Sequence, residues 1–159
     1  MNPEFERCLE NKRLVPFPEA KGLTVKEFTS AVEDLEETRE SLSRRRLKWC
    51  TIQAYYAMFH AARALLYSAG YKERSHQCLA IAMEALFVEK GMMDARLVRN
   101  LLNAMALRED ADHASIYSEA GAELLVRNSQ EFLAKAREIL QQGGYLSAGP
   151  SPPAKFPSR

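Results

Sequence analysis

Several things are scarce in this chain of 159 residues, and each scarcity excludes something. An excess of charge of one sign is missing, since 22 Lys and Arg stand against 21 Asp and Glu. No global attraction therefore draws the chain to nucleic acid or to an anionic membrane, and any polyanion must be held by a local patch. The cysteines are Cys8, Cys50 and Cys78, odd in number, widely spaced and without a Cys-x-x-Cys pair. That pattern argues against a disulfide framework or a zinc knuckle and suits a reducing cytoplasm. No apolar run approaches the roughly 18 residues of a membrane span. The opening Met1-Asn2-Pro3-Glu4 is acidic where a signal peptide is basic, so a soluble, cytoplasmic protein without a membrane partner is expected. Also missing are a glycine-rich phosphate loop, a Gly-x-Ser-x-Gly elbow, a His-Glu-x-x-His segment and the paired Glu-x-x-His of di-iron bundles. Neither a metal nor a nucleotide cofactor is expected. Repeats, alternating strand patterns and Asn-Gly hairpins are lacking too.

What is present is helical periodicity and, with 47% hydrophobic residues, enough apolar mass for one core. The stretch Lys48 to His76 organises the rest. Ile52, Tyr55, Phe59, Ala62 and Leu66 recur at three- and four-residue steps, the repeat of one face of a long helix. Beside them runs a second stripe, Gln53, Tyr56, His60, Arg63 and Tyr67, mixing aromatic rings with groups that carry positive charge. Such a face suits a dimer partner or a ligand better than plain solvent. A side chain like Arg63 is rarely hidden unpaired, so a carboxylate or carbonyl partner is expected for it. Gly70 is the expected left-handed stop.

Around this helix the chain predicts shorter pieces. Pro3 to Leu14 suits a short helix, and Pro16 and Pro18 force an extended connector. Thr24-Val25-Lys26-Glu27 reads as a capping box opening a helix to about Arg44, with Phe28, Ala31, Val32, Leu35, Thr38, Arg39 and Leu42 inward. Ser75 or His76 begins a fourth helix that Gly91 ends. Asp94 caps a fifth, with Leu97, Val98, Leu101, Leu102, Met105 and Ala106 inward. Ser118 starts a sixth, whose inner stripe runs from Ala122 to Leu140 and which Gly143-Gly144 stop. The expected fold is all-α, an up-and-down bundle of four main helices with a short N-terminal helix, over residues 1–144. Residues 145–159, rich in proline and poor in apolar mass, are expected to be a disordered tail.

Candidate chemistry is sparse. Arg44-Arg45-Arg46 with Lys48 is the one concentrated basic run. It can grip phosphates, but cations at a helix end also complement the negative pole there. His60 reads as a half-buried histidine at a helix interface, and His76 as part of a helix start. His113 differs, because Arg108 precedes it by five positions where the fifth helix gives way to a loop. An imidazole can exchange a proton with a 2′-hydroxyl or a leaving oxygen, and a guanidinium can hold charge developing on phosphorus, which suits metal-independent RNA cleavage. One Arg and one His make a thin site, which a two-fold dimer would double.

The segment AYYAMFHAARALLYSAGYKERSH, with Lys48-Trp49 before it and LREDADH after it, resembles the HEPN domain, the helical family of higher eukaryotes and prokaryotes, from roughly Phe5 to Leu140. The resemblance implies a helical bundle, commonly a homodimer, often encoded beside a minimal nucleotidyltransferase as a toxin and antitoxin pair. It further implies, for active members, a metal-independent endoribonuclease whose motif is Arg, four to six residues, then His, matched here by Arg108 and His113 as catalytic residues. Arg44, Arg45 and Arg46 would then bind substrate RNA. In some such pairs the nucleotidyltransferase attaches AMP to a tyrosine two residues past the histidine. Here that position is Ser115, and the nearest candidate for modification is Tyr117. Chains of this branch often read Ala-Asp-Tyr where this one reads Ala111-Asp112-His113, which leaves open a non-catalytic subunit that binds a nucleotidyltransferase or a nucleotide.

Overall fold

In the computed structural model, which describes residues 2–147, α1 (Pro3–Glu10) leads into a short strand β1 (Leu14–Pro16) and a 3-10 helix (Pro18–Leu23). Two long helices follow, α2 (Thr24–Ser43) and α3 (Leu47–Ser68), then β2 (Tyr71–Glu73). Next come α4 (His76–Met83) with a π-helical turn at Glu84–Val88, α5 (Ala95–Ala114) and α6 (Glu119–Gln142). The fold is the expected all-α bundle.

The central helix is α3, packed chiefly against α2 and α6 and also against α5. Its alanines at positions 54, 57, 61, 62 and 64 are fully buried. Small side chains let neighbours approach closely, while Tyr55, Met58, Leu65 and Leu66 fill the space between. Ser75, Asp94 and Ser118 cap α4, α5 and α6 through their side chains, as expected. Gly70, Gly91 and Gly144 take positive φ where helices end.

Other expectations are corrected. α1 stops at Glu10, and Leu14–Pro16 pairs antiparallel with Tyr71–Glu73, Val15 opposite Lys72. The strands are three residues long, too short for a period of two to register in the sequence. The capping box does not form. The 3-10 helix runs straight into α2, so the N-cap position, Leu23, is already helical, and Glu27 is free to turn towards α3. On α5 the buried stripe is Leu97, Val98, Leu101, Ala104 and Ala111, with Leu102 and Ala106 facing out. The cysteines are also corrected: Cys8 and Cys78 form a disulfide tying α1 to α4, and only Cys50 is free, with burial pushing its thiol up to about 11. Sequence distance misled here, because β1 and β2 bring residues 70 apart in sequence together.

The proline-rich tail expected from residue 145 lies, from residue 148 onward, outside the described residues. Tyr145 packs on the core, and its hydroxyl donates to the Ser68 carbonyl at 3.1 Å. Among the described residues no helix is long and apolar enough to cross a membrane.

Candidate functional site

On α3 nearly every position between Cys50 and Tyr67 is buried except Gln53, Tyr56, His60 and Arg63, which form one stripe along the helix. Trp49, one turn earlier on the same face, is 53% exposed. Tyr67, the last member of the expected stripe, is buried. The stripe thus lies in the gap left between α2 and α5, which flank α3.

Its lower half is an ionic network. His60 Nδ1 pairs with Glu27 of α2, and its Nε2 lies 3.6 Å from Asp34. Arg63 donates to Glu73 of β2 from Nε at 3.0 Å and from a terminal nitrogen at 2.7 Å, and reaches Glu27 at 3.4 Å. The expected carboxylate partner of Arg63 is therefore present twice. Burial raises the pKa of Asp34 against the opposing pull of His60.

The upper half is built on aromatic rings. Tyr55, Tyr56, Phe59 and His76 form a continuous cluster, with the Phe59 and His76 centroids 4.4 Å apart. Arg108 of α5 lies over the rings of Tyr55 and Tyr56 at 5.9 and 5.3 Å and donates to the Tyr56 hydroxyl at 2.8 Å. Its side chain is 16% exposed, with contacts to Glu109 at 3.2 Å and Asp112 at 3.5 Å. The Tyr55 hydroxyl meets His76 Nδ1 at 2.6 Å. Burial lowers the pKa of His76, with Arg108 and Arg63 acting the same way and Glu73 and Glu109 opposing.

His113 stands outside this cluster, 68% exposed on the last turn of α5, with Nε2 3.6 Å from Glu109. Arg108 approaches one oxygen of the Glu109 carboxylate and His113 the other. The helix ends there at Ser115, which is left-handed (φ 55°). The basic run sits at the same end of the bundle. Arg44 pairs with Glu40, Arg45 binds Glu119 of α6 through two hydrogen bonds of 2.7 and 2.9 Å, and Arg46 is exposed. Tyr117, 49% exposed, lines a small cavity of about 140 Å³ with Thr51, Leu107, Asp110 and Ser118.

Sequence reading missed Tyr55, His76, Glu27, Glu73 and Glu109 as parts of these networks. Only Glu109, four residues before His113, leaves a local spacing signal. Among the described residues no group of three or more His, Cys, Asp or Glu side chains is placed to hold a metal ion.

The profile of the HEPN domain family matches residues 26–142, from the first turn of α2 to the end of α6. The chain belongs to the HEPN domain family. Two further proteins are similar to this chain. A UPF0332 protein of Archaeoglobus fulgidus is 31% identical over 96 residues, covering 58% of this chain and 75% of its own. A UPF0332 protein of Gloeobacter violaceus is 30% identical over 93 residues, 57% of this chain and 74% of its own. In this HEPN domain the matched region contains the whole exposed stripe of α3, Arg108 and His113, and leaves out α1 and β1.

Proposed function

We propose that this HEPN protein is a metal-independent endoribonuclease that works as a homodimer and is restrained by a minimal nucleotidyltransferase partner. The observation that carries the reading is the convergence of Arg108 and His113 on Glu109 beside the open stripe of α3. His113, exposed and beside a carboxylate, exchanges a proton with the 2′-hydroxyl or the leaving oxygen. Arg108, fixed by two tyrosine rings, holds the charge that develops on the phosphorus oxygens. A second copy docked on Trp49, Tyr56, His60 and Arg63 supplies a second Arg and His, hence both an acid and a base. Arg44, Arg45 and Arg46 guide the RNA backbone at the same end of the bundle, and Tyr117 in the adjoining loop is the candidate for modification by the partner. The test is cleavage of a long mixed RNA in EDTA beside the His113→Ala variant. Cleavage that survives chelation and vanishes in the variant supports the reading, and equal rates for both remove His113 from it.

A second reading, a non-catalytic subunit that binds a nucleotidyltransferase or a nucleotide, is favoured by the acidic rim. Glu27, Asp34, Glu109 and Asp112 line the stripe on both sides and already occupy its cations. Co-purification with a nucleotidyltransferase, together with no cleavage of RNA, would select it.

A further inference from the structure

Arg108 also shares a partner with a second histidine. His76, 32 positions earlier in the chain, shares the Tyr55 ring with Arg108: the imidazole meets the hydroxyl of that ring and the guanidinium lies over its face. We propose that His76 and Arg108 together bind one phosphate of an RNA backbone, His76 through a neutral imidazole N–H and Arg108 through its guanidinium. The inference rests on the ribonuclease reading for the identity of the polymer. The site rests on the Tyr55 ring, which both side chains touch.

The proton on His76 can be assigned from its partner. Tyr55 is 1% exposed, and among the described residues its hydroxyl has no other hydrogen-bond partner. If the imidazole donated to the phenol oxygen, the phenol proton would be left buried and unpaired, at a cost of about 1–3 kcal/mol. The phenol therefore donates to Nδ1, and burial, which raises the Tyr55 pKa, keeps it protonated at every working pH. In the neutral ring the remaining proton then sits on Nε2. Among the described residues that nitrogen has no hydrogen-bond partner, and it is not one of the buried unpaired atoms, so it is a donor that solvent reaches. Stacking on Phe59 and Tyr55 fixes the direction in which it points.

The environment keeps His76 neutral. Burial disfavours the imidazolium, and Arg108 and Arg63 add to this, while Glu73 on β2 and Glu109 on α5 oppose it. A neutral N–H beside a guanidinium is a suitable pair for an oxyanion, because the cation brings charge and the neutral donor brings direction. The competitors are Glu109 and Asp112, whose side chains are 54% and 38% exposed. Arg108 itself is 16% exposed, but the carboxylate side of both pairs is open to solvent, which weakens them, so a phosphate can take the place of either carboxylate on Arg108.

The experiment uses an RNA oligonucleotide carrying 2′-O-methyl groups, which binds without being cut through the 2′-hydroxyl. Fluorescence anisotropy reads its affinity, and NMR of the His76 ring reads contact. Saturation should move the Nε2 signal of His76. His76→Phe, which keeps the ring stack and removes the donor, should weaken binding about tenfold, the loss of one hydrogen bond to an anion. His76→Gln, which keeps an N–H, should recover part of the loss, and thermal melting checks that both variants fold. An unmoved His76 signal, equal affinity in His76→Phe or no binding of the oligonucleotide would overturn the proposal. A shift produced equally by inorganic phosphate at similar concentration would overturn its RNA part. The two readings separate cleanly: a chain that cuts RNA as fast with His76→Phe keeps the ribonuclease and loses this site. One that cuts nothing while the oligonucleotide moves His76 keeps the site and loses the ribonuclease.

Discussion

Arg63 and Glu73 are held to each other in a setting where neither is easily dispensed with. The Glu73 side chain is 5% exposed, and two Arg63 nitrogens bind one of its carboxylate oxygens. Arg63→Ala leaves that carboxylate buried alone, and a loss of about 3 kcal/mol in urea unfolding is expected. Adding Glu73→Gln to the same variant should return much of the loss. Equal stability of Arg63→Ala and the parent would mean that the pair is solvated. His76 gives a pH prediction at the same scale. Its pKa in the folded chain is lowered by burial, so the unfolded chain binds more protons in the acid range. Stability from this group is fully present above the ordinary histidine value of about 6.5 and is lost as pH falls through the lower folded value. The melting temperature should drop on acidification over that window, less so in His76→Gln. Parallel curves for the two proteins would contradict the assignment. Some of these residues were legible in the sequence and others were not. A partner for Arg63 could be foreseen because a half-buried guanidinium needs one, but Glu73 could not be chosen for it. Tyr55 and His76 lie 21 residues apart across a helix end, where no periodicity links them.

At the scale of elements, the helices could be read because their apolar steps and caps persist over many residues, as in α6, where every expected inner position from Ala122 to Leu140 is buried. The two strands could not, since three residues carry too little pattern, and the pairing that joins them is set by where α3 ends. The same pairing explains the misreading of the cysteines. It draws the end of α1 towards the start of α4 and brings Cys8 to Cys78. Closing a loop of 70 residues removes about 4 kcal/mol worth of unfolded-chain entropy in the simplest treatment. Cys8→Ser should therefore lower the urea midpoint clearly under non-reducing conditions and leave it unchanged relative to the parent once a reductant is present. A parent insensitive to reductant would show that α1 is held by Phe5 and its packing alone. α1 and β1 lie outside the matched HEPN region, so this tie joins a segment before that region to α4 within it.

For the whole molecule the balance of charge decides less than its placement. The net charge of +1 conceals an acidic rim along the stripe of α3 and a basic turn at Arg44–Arg46. Composition alone gave no sign of that division, whereas the Arg108–His113 spacing was visible in the sequence and only its geometry was not. The two side chains do not touch but share Glu109, with the Arg anchored inside and the His exposed. That arrangement serves RNA cleavage if the His is the mobile proton carrier and the Arg the fixed electrostatic clamp. The direct measurement is the rate of cleavage of one defined RNA in EDTA by the parent, Arg108→Ala and His113→Ala, with the chemical ends of the products determined. Loss of at least about a hundredfold in each variant, the usual worth of a proton-transfer group, and 2′,3′-cyclic phosphate ends are predicted. Cleavage at the parental rate in both variants, or no cleavage by the parent at any pH, would contradict the account.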